Sequence, residues 1–118
     1  FDAHTRPALF GALPAWQRTL LPGPLRKRVA ASARAHGMGR HSPEEVGQIG
    51  VSDYRCLAET LGDRAFLFGD VPTTIDASAY AFITAVSGTP FDTPMRDYVA
   101  QSGLVDYANR FAAHAGLA

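Results

Sequence analysis

The side chains best suited to chemistry in this sequence are four histidines and one cysteine, because imidazoles and thiols bind metals or act as bases and nucleophiles. The histidines are His4, His36, His41 and His114. No two of them are three or four residues apart, the spacing that places two ligands on one helix face. Cys56 has no second cysteine and no nearby histidine. The sequence therefore predicts no metal site and no catalytic residue here, and we expect Cys56 to be a small buried residue.

A short glycine-containing segment is a second candidate for chemistry. Gly37-Met38-Gly39-Arg40-His41-Ser42 has two of the closely spaced glycines that bring backbone N–H groups to a pyrophosphate. It lacks the third glycine, and it follows a predicted helix rather than a strand. We interpret the segment as a turn that ends one helix and precedes another.

The basic run Arg26-Lys27-Arg28 could contact nucleic acid phosphates. Three adjacent side chains point in three directions around a helix, and the sequence pI is about 7.1 rather than above ~9. The net charge is zero, with eleven basic and eleven acidic residues. The run therefore favours a solvated helix face, and no nucleic acid partner is predicted.

Composition places the chain among soluble globular domains. It has 118 residues, of which 47% are hydrophobic and 19% charged, as expected for one domain with a packed core. No apolar run approaches the ~18–20 residues of a membrane span. A single cysteine fits a reducing compartment, so we expect a cytoplasmic protein. The chain begins at Phe1 rather than Met, which is compatible with a piece of a longer protein.

Helical periodicity predicts an all-α fold of six elements. The first element has apolar residues at helical spacing, which are Leu9, Leu13, Trp16 and Leu20. A kink or break is expected near Gly11 and Pro14. Pro22-Gly23-Pro24 is expected to break the chain, and Pro24 to open a second helix that runs to about His36.

A third helix is predicted between a capping box at Ser42 and Glu45 and a stop at Gly62. In such a box the residue before the helix and the acid three positions later satisfy each other's backbone N–H groups. The expected buried face consists of Val46, Ile49, Tyr54 (or Asp53 at its rim), Leu57 and Leu61. Gly47 and Gly50 each disfavour the helix by ~1 kcal/mol relative to Ala, so we expect them to permit close packing.

A second capping box, Thr73 and Asp76, opens the fourth helix. This helix shows the clearest amphipathic stripe of the chain, formed by Ile75, Ala79, Phe82, Ile83 and Val86. Ser87-Gly88-Thr89-Pro90 ends it, and two short helices are expected over residues 93–101 and 103–115.

These motifs together resemble one protein family. Gly37–Glu45, Phe66–Asp70 and Pro72–Asp76 look like the C-terminal helical domain of glutathione-transferase-like proteins. More narrowly, they resemble the branch related to failed axon connections and metaxin, which has many bacterial members. The resemblance covers roughly residues 37–112 and implies that Thr73 and Asp76 serve the fold.

The resemblance also implies what lies outside this chain. Family members place a thioredoxin-like domain ahead of the helical one, and that upstream domain binds glutathione and carries the activating Tyr, Ser or Cys. This chain alone is then expected to hold no cofactor and to be inactive, with the upstream domain and a second copy as its candidate partners. The helical domain usually supplies the pocket wall for the electrophile, so Leu13 and Trp16 are the expected wall residues.

The sequence allows more than one role for Arg40 and His41, and more than one function for the whole protein. Arg40 and His41 either cap and bridge helices or line a substrate site. The whole protein is either a glutathione-dependent transferase or a metaxin-like module that binds other proteins. A nucleic acid binder using the helix around Arg26–Arg34 is the weakest alternative.

Overall fold

The computed structural model describes residue 7 and residues 10–117. The named elements of this part are α1 (Ala15–Leu20), α2 (Pro22–Ala35), a 3-10 turn (Met38–Arg40), α3 (Pro43–Leu61), α4 (Thr74–Ser87), α5 (Pro94–Gln101) and α6 (Leu104–Ala115). They contain no β-strand, which confirms the predicted all-α fold. The chain divides into two compact units, Phe1–Val46 and Gly47–Ala118.

In the first unit, α1 begins directly after Pro14, as the break expected there requires. Leu9 lies outside the described residues. The helix break expected at Pro22-Gly23-Pro24 is present but lies at Leu21, and α2 begins at Pro22, two residues earlier than expected. Proline is tolerated in the first turn of a helix, where its missing N–H would have no partner in any case.

The turn between α2 and α3 depends on two glycines. Gly37 has a φ of 94°, a conformation that favours glycine. A Cβ on Gly39 would lie 2.6 Å from the backbone nitrogen of Arg34, so the chain passes directly against the end of α2. The segment forms one 3-10 turn rather than an irregular loop, and both glycines serve the backbone.

Helix α3 begins and ends where its sequence signals predict. The Ser42 N–H donates to Glu45 Oε2 at 2.8 Å, and the Glu45 N–H donates to the Ser42 hydroxyl at 3.1 Å. At the other end Gly62 has a φ of 53°.

Cys56 is exposed, so the expectation that it is buried is wrong. It lies on the face of α3 opposite to Tyr54 and Leu57, which pack against the core.

The core of the second unit forms where α4 packs on α5 and α6. Its side chains come from these three helices, from the end of α3 and from the α3–α4 connector (residues 62–73). The buried cluster consists of Leu61, Phe66, Leu67, Ala79, Ile83, Val99, Leu104, Tyr107, Ala108 and Phe111.

One carboxylate, Asp76, is completely buried in this apolar surrounding. Its Oδ2 accepts from the Thr73 N–H at 2.7 Å and from the Thr73 hydroxyl at 3.0 Å. Its Oδ1 accepts from the Leu67 N–H at 2.9 Å and from the Tyr107 hydroxyl at 2.7 Å. Asp76 therefore forms the capping box with Thr73 and also joins α4 to the connector and to α6.

These hydrogen bonds set the ionisation of the buried pair. Burial alone would raise the pKa of Asp76, but the N–H groups of Leu67 and Thr73 and the Tyr107 hydroxyl bring it below its ordinary value. Burial, together with the hydrogen bond to Asp76, raises the pKa of Tyr107. Asp76 is therefore charged and Tyr107 neutral at physiological pH.

We expect Asp76→Ala to lower the free energy of unfolding by about 3 kcal/mol or more, because it leaves several buried donors without an acceptor. Thr73→Ala should cost ~1 kcal/mol, the usual effect of losing a helix cap. Urea unfolding followed by circular dichroism measures both. Asp63→Ala, which removes an exposed carboxylate, is the control. If the Asp76 and Asp63 variants unfolded at the same urea concentration, Asp76 would not have this role.

The same pair predicts how stability depends on pH. The folded pKa of Asp76 is depressed, so its contribution is complete above the ordinary pKa of 3.8 and is lost as the pH falls below it. The folded pKa of Tyr107 is raised, so its contribution is complete below the ordinary 10.0 and is lost at higher pH. Urea unfolding across the pH range should show both losses. Tyr107→Phe should weaken the alkaline one, and an unchanged alkaline slope would contradict the assignment.

Candidate apolar binding site

The second unit contains an open cavity of about 490 Å³. It lies among α3, α4, the connector and the beginning of α5. Its lining residues are Gly50, Asp53, Tyr54, Leu57, Leu67, Ile75, Ser78, Ala79, Phe82 and Met95. Most of these residues present only carbon to the cavity, so its surface is mainly apolar.

The amphipathic stripe of α4 supplies one wall of the cavity. Ala79 and Ile83 are buried, as the stripe predicts, but Ile75 is 46% exposed and Phe82 is 68% exposed. The helices that pack on α4 therefore bury only part of its apolar stripe. Its edge, Ile75 and Phe82, faces the cavity.

Tyr54 joins the two long walls. Its hydroxyl donates to the backbone carbonyl of Phe82 at 3.0 Å, which links α3 to α4. Burial raises the pKa of Tyr54, and the neighbouring charge of Asp53 raises it further. The hydroxyl therefore stays protonated at physiological pH and acts as a hydrogen-bond donor between the walls.

The two glycines of α3 differ in what they permit. A Cβ on Gly50 would collide with the Met95 side chain, 2.7 Å from its Cγ and closer to its sulfur. Gly50 therefore lets Met95 reach the cavity. A Cβ on Gly47 would lie 3.5 Å from the Pro94 ring, an ordinary contact. The expectation of close packing thus holds at Gly50, whereas a methyl group fits at Gly47.

The residues predicted to line a substrate site lie in the first unit. Leu13 is half-buried and Trp16 is 65% exposed. Arg40 Nε donates to the Arg34 carbonyl at 3.2 Å, and His41 Nδ1 lies 3.6 Å from Glu45 Oε2. The first contact joins the 3-10 turn to the end of α2, and the second joins the residue after that turn to the start of α3. None of the four lines the cavity, and their assignment to a substrate site stays a prediction.

Within residue 7 and residues 10–117, no group of three or more His, Cys, Asp or Glu side chains is arranged to hold a metal ion. In the same residues, no helix combines the length and hydropathy needed to cross a bilayer.

The match to a known family falls on the second unit. Residues 50–111 match the family described as glutathione S-transferase, C-terminal domain, and this range includes every residue that lines the cavity. Failed axon connections of Drosophila melanogaster is 37% identical over 81 residues, which cover 65% of this chain and 19% of that protein. The isoprene-epoxide–glutathione S-transferase of Rhodococcus sp. (strain AD45) is 34% identical over 86 residues, covering 72% of this chain and 36% of that enzyme. The alignments thus span only about a fifth and a third of the two relatives. No solved structure matches.

The two glycines give a test of how the cavity is packed. Gly47→Ala should stabilise the chain by up to ~1 kcal/mol, because Ala favours a helix and its methyl group has room. Gly50→Ala should instead destabilise it by ~1 kcal/mol or more, because Met95 must move. Adding Met95→Ala should remove most of that loss, which urea unfolding of the single and double variants measures. Equal effects of Ala at both glycines would contradict this packing.

Proposed function

Because the chain belongs to the glutathione S-transferase C-terminal domain family, we propose that it binds the electrophilic substrate of a glutathione-dependent transferase. In this proposal the cavity of the second unit holds the apolar part of that substrate. An upstream thioredoxin-like domain would bind glutathione and activate its thiol. The activity then belongs to the two domains together, and this chain alone is inactive.

The observation that carries the proposal is the cavity itself. Its volume of about 490 Å³ falls within the roughly 300–1,000 Å³ of small-molecule sites. Its apolar walls are joined by the Tyr54–Phe82 hydrogen bond, so they are held in place before a ligand binds. Such a site removes water from an apolar substrate and holds it in position, which lowers the entropic cost of a reaction with a second molecule.

One relative supports an apolar electrophile as the substrate class. The Rhodococcus enzyme is named for a transfer between glutathione and an isoprene epoxide. An isoprene epoxide is small, uncharged and mostly hydrocarbon, and a cavity lined by residues such as Leu57, Ile75 and Phe82 suits a molecule of that kind.

A protein-interaction module is the second candidate. Several large apolar side chains of this chain are exposed, among them Trp16, Phe68 and Val71, and exposed apolar surface can mark a protein-binding face. The coding sequence upstream of Phe1 discriminates between the two functions. A thioredoxin-like domain with a thiol-activating residue there favours the transferase, and its absence favours the interaction module.

Location and source are part of the same proposal. A glutathione-dependent enzyme works where glutathione is abundant and reduced, and this chain has one cysteine and hence no internal disulfide to maintain. We therefore place the protein in the cytoplasm of a bacterium, as the Rhodococcus relative suggests.

Substitution of Phe82 tests the cavity as a binding site. N-phenyl-1-naphthylamine, an uncharged dye that fluoresces in apolar sites, should bind this chain. Phe82→Ser should weaken binding by ~5-fold or more, because an aromatic wall is lost.

Phe68→Ser is the matched control. Phe68 is 72% exposed, about as much as Phe82 at 68%, and it does not line the cavity. This variant should bind the dye like the wild type. Equal loss in both variants, or no dye binding by the wild type, would overturn the proposed site. In the protein with its upstream domain, Phe82→Ser should raise the KM for an epoxide and leave the KM for glutathione unchanged.

A further inference from the structure

The lining of the cavity contains one negatively charged side chain and no positively charged one. Among the residues that line it, Asp53 is the single charged one, and it is exposed at the rim of α3. A carboxylate at the mouth of an apolar cavity acts through a medium of lower dielectric constant than water. It therefore repels an anionic ligand more than the same charge on an open surface would.

None of the arginines of the second unit lines the cavity, and each contacts a group that does not line it either. Arg55 lies over the Tyr98 ring, 6.0 Å from its centroid, and Arg96 pairs with Asp92 at 2.9 Å. Arg64 donates to the carbonyls of Thr60 and Leu61, and Arg110 donates to the Ala65 carbonyl at 3.0 Å. These are the four arginines from Gly47 onward, and that part of the chain contains no lysine.

The two hydroxyl groups of the lining are also engaged. The Tyr54 hydroxyl donates to the Phe82 carbonyl at 3.0 Å, and the Ser78 hydroxyl donates to the Thr74 carbonyl at 3.5 Å. An anion that entered would lose its hydration, would meet Asp53, and would gain no charged donor in return. A neutral apolar ligand loses little hydration, and a cation is attracted to Asp53.

We propose that this cavity selects its ligand by charge, accepting uncharged or cationic apolar molecules and excluding anions, with Asp53 as the specificity-determining residue. The inference rests on the proposed function and narrows its substrate class. Uncharged electrophiles such as epoxides would be substrates, whereas apolar carboxylates and sulfonates would be poor ones.

A pair of dyes isolates the effect of charge. N-phenyl-1-naphthylamine and 8-anilinonaphthalene-1-sulfonate share one aromatic skeleton and differ by a sulfonate. The wild-type chain should bind the sulfonate ~10-fold or more weakly than the neutral dye. Asp53→Asn should tighten binding of the sulfonate several-fold and change binding of the neutral dye much less, so the ratio of the two dissociation constants is the readout.

Asp63→Asn is the matched control, since it removes one exposed carboxylate of the same unit that does not line the cavity. It should leave both dissociation constants unchanged. Raising the salt concentration from about 0.05 to about 0.5 M should tighten sulfonate binding relative to the neutral dye in the wild type, and less in the Asp53 variant. The wild-type part of this second measurement does not depend on how well a variant folds.

The outcomes separate this inference from the proposed function. If the neutral dye binds in a Phe82-dependent manner but the sulfonate binds equally well, charge selection is overturned and the binding site stands. If Asp53→Asn and Asp63→Asn act alike, the overall charge of the chain is responsible and Asp53 is not. If neither dye binds, the proposed site and the inference both fall.

Discussion

The fold of the second unit depends on the hydrogen bonds that stabilise the buried carboxylate of Asp76. A charge without water is tolerated only where donors replace the water. Here the donors come from three separate segments, the connector at Leu67, the start of α4 at Thr73, and α6 at Tyr107. Satisfying Asp76 therefore fixes where the connector and α6 lie against α4. Since Leu67 also lines the cavity, the same carboxylate positions part of its wall.

The two sequence motifs that resemble the family most closely act through the backbone. Gly37 supplies a positive φ and Gly39 a close approach to α2. Thr73 and Asp76 end one segment and begin the next. Such residues are recognisable because few side chains meet these geometric demands. They identify the fold well, and they carry no information about what the cavity binds.

Local signals predicted most helix boundaries. Both ends of α3 lie within one residue of the positions that Ser42 and Gly62 predict. The start of α4 lies within one residue of the cap predicted at Thr73. The start of α2 was misplaced because the first turn tolerates Pro22. The cavity was not predicted, because periodicity shows that Ile75, Phe82 and Ile83 share a face of α4 but not where its covered part ends. That limit depends on how α5 and α6 pack against α4, which the local pattern of α4 does not encode.

The lining of the cavity combines two kinds of position. Leu67 and Ala79 belong both to the lining and to the buried core, whereas Ile75, Ser78 and Phe82 are exposed. A mutation at a position shared with the core changes both ligand binding and the stability of the fold, so such mutations are rarely retained. Mutations at the second kind change the ligand at little cost to folding. If the cavity binds a substrate as proposed, the exposed edge of α4 is where duplicated copies of this domain can change that substrate on an unchanged scaffold.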